Sequence, residues 1–323
     1  MSEVLDIEVP AATEAEDIKD RLDTVFLRFE YIDELNKELE ACYRAGERRA
    51  AKQRHLVIFG DSGSGKTRLL VNFALRYPPR ELADRTQIRV LFVKMPSNPT
   101  PRKIVKAIHT ALGSMFAGKG DDDDQLRHAK TLCWECGVNL IVMDEVSHLV
   151  DRGREKTHYK FGDALKEVVD ALEVSFVLTG IPRLKRLFEV NEQLRGRFGR
   201  RRHIRPFSIA TAGQAKVFRR AVGAFVKRIS PLQSVDLLSD EILPRIWFAT
   251  NGLLRPLVEL LKEAVDLAYV SKHREIDLAI LAMAFLNVVW HEAPEHRNPF
   301  NATFNTLPLT ANGEPYALPE RDL

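Results

Sequence analysis

The sequence predicts an α/β fold: an αβα sandwich around a parallel sheet, followed by a small C-terminal helical lid domain. Three observations predict it. Between residues 55 and 180, apolar runs of strand length alternate with amphipathic runs of helical spacing, the pattern of βαβ units whose crossovers cover both faces of a parallel sheet. The first of these strands ends in a glycine-rich loop that opens a helix. Beyond about Thr211 the periodicity becomes wholly helical.

Each element follows from the local pattern. Residues 1–17 are polar, acidic and Pro/Ala-containing, and read as a flexible lead. From Ile18 to about Ala51 the apolar positions Leu22, Val25, Phe26, Phe29, Ile32, Leu35 and Leu39 keep helical spacing, which predicts one or two amphipathic helices. "HLVIFG" is a strand, and "RLLVNFALRY" a helix stopped at Pro78-Pro79. "IRVLFVKM" (88–95) is the second strand. "PRKIVKAIHTALGSMF" is a helix with Pro101 in its first turn. "GKGDDDDQ" reads as a loop, "LRHAKTLCWECG" as a helix closed by Gly137, and "VNLIVMDE" as a third, buried strand. "ALKEVVDAL" is a helix and "VSFVLTG" the next strand. Four helical runs follow: "AGQAKVFRRAVGAFVKRI", "DEILPRIWFAT", "LLRPLVELLKEAVDLAYVSK" and "DLAILAMAFLNVVW". The domain plan is therefore a lead over 1–17, an αβα domain with N-terminal helices over 18–210, a helical lid over 211–290 and a Pro/Asn-rich tail over 291–323. The tail holds five prolines in 33 residues, too little apolar material for a core of its own.

Chemistry concentrates in the loop after the first strand. "GDSGSGKT" fits G-x-x-x-x-G-K-[ST], and its setting between a strand and a helix is what gives the motif meaning. Gly60, Asp61, Ser62, Gly63, Ser64 and Gly65 form the loop, Lys66 reaches the β/γ-phosphates, Thr67 holds Mg²⁺, and Arg68 stands in the helix's first turn. Backbone N–H groups and the helix N-terminus supply the rest of a phosphate site. The expected cofactors are ATP and Mg²⁺. "NLIVMDE" ends a buried strand in two acids: Asp144 falls near the metal, and Glu145 where it polarises an attacking water. Thr179 ends the next strand as a γ-phosphate sensor or, equally on sequence, as a turn cap. In "NGLLRPL", Arg255 sits in the first turn of a lid helix, placed to touch the nucleotide or to remain a surface charge.

Composition bounds the function classes. The 323 residues are 45% hydrophobic and 29% charged, ordinary for a soluble globular chain. No apolar run of 18 residues exists, and the acidic N-terminus lacks signal-peptide zones, so the expectation is a cytoplasmic protein with no membrane partner. Cys42, Cys133 and Cys136 give no disulfide framework, and one CxxC without a second pair is poor zinc evidence. The net charge of +3 hides segregation: residues 1–47 carry 14 acids against 5 bases, and residues 183–228 carry 14 bases against 2 acids. One face is therefore suited to an anionic partner, or simply to solvent. Within that basic region, "LRGRFGRRRHIR" packs six arginines into twelve residues.

In their order and spacing, these motifs resemble the AAA+ ATPase superfamily and, within it, the TnsC/TniB family of transposition regulators. The resemblance covers roughly residues 25–290, through "HLVIFGDSGSGKTRL", "VKMPSNPTPRKIVKAI", "CGVNLIVMDEVSHLV", "VLTGIPRL", "EQLRGRFGRR" and "NGLLRPLVE". It implies an ATPase that assembles with itself as rings or a helical filament on duplex DNA. It also implies a link between a target-selection protein and a DDE transposase, with disassembly after ATP hydrolysis. By position, Lys66, Thr67, Asp144 and Glu145 match the nucleotide and hydrolysis residues, and Thr179 matches the sensor. Arg197 looks like the arginine finger that reaches a neighbouring subunit's γ-phosphate, with Arg195 the near alternative. Arg102 matches a position facing the DNA backbone, Lys103 lies beside it, and Lys119 is the basic candidate for a second contact. The departure is "GKGDDDD", whose acids would repel phosphate there.

Such contacts are phosphate-directed, salt-dependent and nearly sequence-tolerant. Two other readings compete. One is a replication-initiator or helicase-loader ATPase, which commonly adds a winged-helix domain that the roughly 30 residues after Trp290 are too few to form; the other is a signalling NTPase switch that does not touch DNA. The tail reads either as disordered or as a partner-binding peptide anchored by Phe300, Phe304 and Tyr316.

Overall fold

A computed structural model of the chain describes residues 11–49, 53–96, 99–115, 117–146, 155–271 and 274–317. The chain divides into two compact units, Arg28–Arg205 and Met1–Leu27 together with Pro206–Leu323. The chain enters through helix α1 (Ala11–Asp23), which belongs to the second unit.

The first unit begins with α2 (Glu30–Glu47), whose Ile32, Leu35, Leu39 and Cys42 form a buried stripe at helical spacing. Then come β1 (Leu56–Gly60), α3 (Lys66–Ala74), β2 (Val90–Lys94), α4 (Pro101–Ala111), α5 (Asp122–Glu135), β3 (Leu140–Asp144) and α6 (Glu155–Leu172). β4 (Ser175–Gly180), α7 (Lys185–Val190), α8 (Glu192–Arg197) and β5 (Arg200–Ile204) complete it. The five strands pair in the order β2-β3-β4-β1-β5, all parallel. β1 and β4 are buried throughout, as is β3 up to Met143, which explains their continuous apolar runs in sequence. Each fully buried Val, Leu, Ile or Phe contributes about 1.5–3 kcal/mol, so the central strands anchor this sheet. All five strands run the same way, and Gly60, Asp144, Gly180 and Ile204 close one common edge.

Two features of this unit differ from the sequence expectation. The aspartate run is helix, not loop: Asp121 caps α5, its carboxylate accepting the Asp124 N–H at 2.7 Å, and Asp122–Asp124 occupy the first turn. Negative charge is favourable there because the free N–H groups of a helix start carry partial positive charge. The basic stretch after α8 supplies an edge strand, β5, in register with β1 from Leu56↔Arg200 to Gly60↔Ile204. Four of its five residues are Arg or His, so apolar periodicity could not reveal it.

The second unit is helical: α9 (Ala212–Ile229), α10 (Ile242–Thr250), α11 (Leu254–Val270) and α12 (Leu278–Val288). Thr211 and Asp277 cap α9 and α12 by accepting N–H groups of Gln214 and Ile280, each cap contributing about 1 kcal/mol. α1 packs here: Ala15, Ile18 and Leu22 join one core with Phe218, Val222, Leu261 and Ala264, and Lys262 pairs with Asp23 at 2.5 Å. Residues 11–17 are therefore helix rather than loose lead, and 18–27 sit with the lid helices rather than the sheet. Residues 1–10 lie outside the described residues.

The tail also folds, over its described part to residue 317. Phe300 and Leu309 are buried in the core of this unit, and the Tyr316 hydroxyl donates to Ala249 O at 2.7 Å. Arg297, 7% exposed, donates to Glu314, to Asn305 Oδ1 at 2.7 Å and to Pro308 O at 2.8 Å. Phe300, Phe304 and Tyr316 are thus used internally, which corrects both the disordered reading and the free-peptide reading. The prolines break helices without preventing burial.

Candidate functional site

The phosphate loop takes its shape from backbone requirements. Gly65 has φ +94°, a left-handed conformation open to glycine, and serves as N-cap of α3. At Gly60 a side chain would have no room: a Cβ would lie 2.5 Å from Ser64 Oγ and 2.9 Å from Ile204 O. Lys66, 7% exposed, folds over the loop, its Nζ donating to Gly60 O at 2.7 Å and to Asp61 O at 2.9 Å. Ser64 Oγ is buried without a hydrogen-bond partner. A glycine cradle, an ammonium, a helix start and an orphan buried hydroxyl together fit the phosphates of a nucleotide. Asp61, Ser62 and Gly63 complete the loop, and Arg68 stands exposed in the first turn of α3.

The second half of the site is a hydrogen-bonded cluster around Asp144. Thr67 Oγ1 donates to Asp144 Oδ2 at 2.5 Å, and Thr179 Oγ1 donates to Asp144 Oδ1. The Glu145 N–H reaches Asp144 Oδ1 at 2.9 Å and Thr179 Oγ1 at 3.3 Å. Thr179 is fully buried on β4, the strand between β3 and β1, so strand order carries this hydroxyl to the point between loop and acids. A hydroxyl beside a carboxylate is the donor set of a hard cation such as Mg²⁺, which takes one or two protein oxygens and completes its shell with phosphate and water. Glu145 adopts φ +54°, a strained conformation for a non-glycine residue and the kind that accumulates at functional sites. Its side chain is exposed rather than packed.

Basic residues border the loop from positions that sequence reading did not single out. His203 on β5 is paired with Phe59; burial, and then the nearby Lys185, hold its imidazole below the usual range, with Arg205 and Lys66 also acting on it. The signal was present only in the β1–β5 register. The other arginines of "LRGRFGRRRHIR" divide by partner. Arg200 and Arg202 clamp Glu38 of α2 at 2.7 and 2.6 Å, and together they outweigh the upward push of burial and lower its carboxyl. Arg201 lies over the Phe188 ring, 5.0 Å from its centroid. These three are fastened within their own chain; Arg205 is exposed at the strand end.

Arg197 ends α8 and binds Asp170 of α6 through two nitrogens, while Arg195 makes one looser contact to Glu192 at 3.5 Å. Arg102 pairs with Asp122 at 2.7 Å and donates to Gly120 O at 3.2 Å. Lys103 is exposed beside it, its N–H accepted by the Thr100 cap at 3.3 Å. Lys119 lies in the same α4–α5 connection, its carbonyl accepting from Gln125 Nε2. Of the four aspartates, Asp121 caps α5, Asp122 pairs with Arg102 and Asp124 pairs with Arg127. Arg255 is exposed in the first turn of α11, in the helical unit. Cys42 and Cys133 are buried, which pushes both thiols up to about 12. Among the described residues no helix is long and apolar enough to cross a membrane.

The chain matches the family described as bacterial TniB protein over residues 19–206, more than half its length, and belongs to that family. No curated protein matches it. Among solved structures, it is similar to Cdc6p from Pyrobaculum aerophilum at 17% identity, covering 86% of this chain and 75% of that one with a TM-score of 0.62. The Aeropyrum pernix ORC2 protein, in ADPNP–ADP complexes, matches at 14% identity, covering 85% and 73% with a TM-score of 0.57. The Aeropyrum pernix Orc1 protein in complex with DNA matches at 16% identity, covering 78% of this chain with a TM-score of 0.54. The chain spans 65% of the length of that Orc1 protein. At such identities the likeness establishes the fold: an AAA+ P-loop domain with its helical partner.

Proposed function

We propose that this TniB-family AAA+ protein is an ATP-dependent, DNA-binding regulator of transposition that assembles on duplex DNA and releases it after hydrolysis. The observation that carries the reading is the Lys66–Thr67–Asp144–Glu145–Thr179 cluster at one edge of the sheet. Bound Mg-ATP supplies an electrophilic γ-phosphoryl group and a cation that neutralises charge developing on it. Lys66 exchanges its loop carbonyls for phosphate oxygens, and Thr67 and Asp144 hold the cation. Thr179 fixes the Asp144 carboxylate and the Glu145 backbone, so Glu145 is held where its carboxylate accepts a proton from water. Arg197 acts on a neighbouring subunit's nucleotide, and Arg255 links the helical unit to nucleotide state.

DNA contact is assigned to Arg102, Lys103 and Lys119, which meet the backbone and read little sequence. The family match supports transposition over replication initiation, and the likeness to an Orc1 protein in complex with DNA supports a nucleic-acid partner. A target-selection protein and a transposase are the proposed protein partners, with self-assembly as a ring or filament. The test is a mobility shift on duplex DNA of unrelated sequences. Binding is expected with ATP and absent without it, and it should weaken by roughly tenfold or more between 50 and 200 mM salt if three phosphates are neutralised. Equal binding without nucleotide, or none at any salt, sinks the proposal.

A further inference from the structure

Arg197 is held in an unusual way for a residue meant to reach outward. Its Nε and Nη2 both donate to the Asp170 carboxylate, the second at 2.5 Å, and its Nη1 donates to Gln193 O at 3.2 Å. A guanidinium has five N–H donors in a fixed planar fork. Two go to Asp170 on the side edge and one to Gln193, which leaves one on Nη1 and one on Nη2. The side chain remains 32% exposed. The stem is fixed as well, because the next residue, Phe198, is fully buried with its ring centroid 5.0 Å from that of His55 and 5.9 Å from that of Phe188. Arg195, in contrast, is 48% exposed and, among the described residues, pairs with a carboxylate that is itself 88% exposed.

We infer that Asp170 is a positioning residue: it grips the side edge of Arg197 and leaves two guanidinium donors presented for a phosphate of the neighbouring subunit. The inference rests on the intersubunit ATPase proposed above. A half-exposed ion pair adds little to stability, so the value of this one lies in orientation. Bidentate pairing fixes the plane of the guanidinium, and a donor already aimed at the developing charge needs no reorganisation when reaction occurs. Arg195 has no comparable second anchor, which favours Arg197 of the two. Asp170 is 27 residues from Arg197 in sequence and lies on a different helix, so no motif spacing points to it.

The experiment measures DNA-stimulated ATP hydrolysis of the full chain with Asp170→Asn, Asp170→Glu and Arg197→Ala. Asp170→Asn should lower kcat about tenfold, with KM for ATP within twofold and the melting temperature unchanged, and Asp170→Glu should restore part of the rate. Because the arginine acts in trans, mixing Asp170→Asn with Glu145→Gln subunits should give more activity than either alone: intact fingers then face intact sites. A kcat within twofold of wild type for Asp170→Asn, or a loss that mixing does not relieve, overturns the inference. Arg197→Ala separates the two levels. If it keeps full stimulated hydrolysis, the finger reading itself fails; if it loses stimulation while Asp170→Asn does not, only the positioning role fails.

Discussion

Glu145 joins two facts that are separate in sequence. Its carboxylate follows the acid that would hold a cation, and its backbone sits at φ +54° with the N–H tied to Asp144 and Thr179. The backbone is constrained while the side chain is exposed to solvent. Glu145→Gln keeps the shape and removes the carboxylate proposed as the base. It should bind ATP normally and hydrolyse it roughly 10²-fold more slowly or worse, read by single-turnover hydrolysis of labelled ATP. Hydrolysis at the wild-type rate would move the role to another residue. Lys66, Thr67, Asp144 and Glu145 were legible in sequence because each lies in a contiguous motif whose strand context is strongly apolar. Asp170 and Glu38 were not, because their partners lie 27 and 162 or 164 residues away and charge pairing across a fold leaves no local pattern.

Elements show the same boundary between local and tertiary information. The buried strands β1, β3 and β4 were readable from apolar runs, and α9 from its helical spacing. The start of α5 was missed because four aspartates look like a solvated loop until one is seen to cap the helix. β5 was missed because an edge strand held by backbone pairing to β1 needs little apolar content. Where β1 meets β4, His55 just before β1 contributes a pH dependence. It is 8% exposed, and its Nδ1 accepts the Phe176 N–H at 3.1 Å; burial lowers its imidazole from 6.5 to about 4. The unfolded chain therefore takes up the proton first, so this contribution to stability is present above pH 6.5 and is lost as pH falls towards 4. By pH 5 the loss is about 2 kcal/mol. Urea unfolding of the wild type should show it as a drop in midpoint between pH 7 and 5 that His55→Gln shows less. Parallel pH profiles for the two proteins would contradict this.

At the scale of the whole molecule, two units divide the labour differently from their order in the chain. The sheet unit carries the phosphate loop, the acids and the arginine of α8, while the helical unit draws α1 from one end of the chain and the folded tail from the other. Charge segregation follows from this plan only in part. Of the basic stretch, Arg197, Arg200 and Arg202 are matched by acids of the same chain, so sequence density overstated the field available to an anionic partner. The DNA contact proposed above lies at the α4–α5 edge, where Asp122 holds Arg102 in the free chain. The central claim, that nucleotide state governs assembly on DNA, is tested most directly by electron microscopy of the full chain with linear duplex DNA in ATP, in ADP and without nucleotide. Ordered rings or helical filaments on DNA are expected in ATP, and their disappearance in ADP. Particles of identical size and no DNA decoration under all three conditions would contradict it.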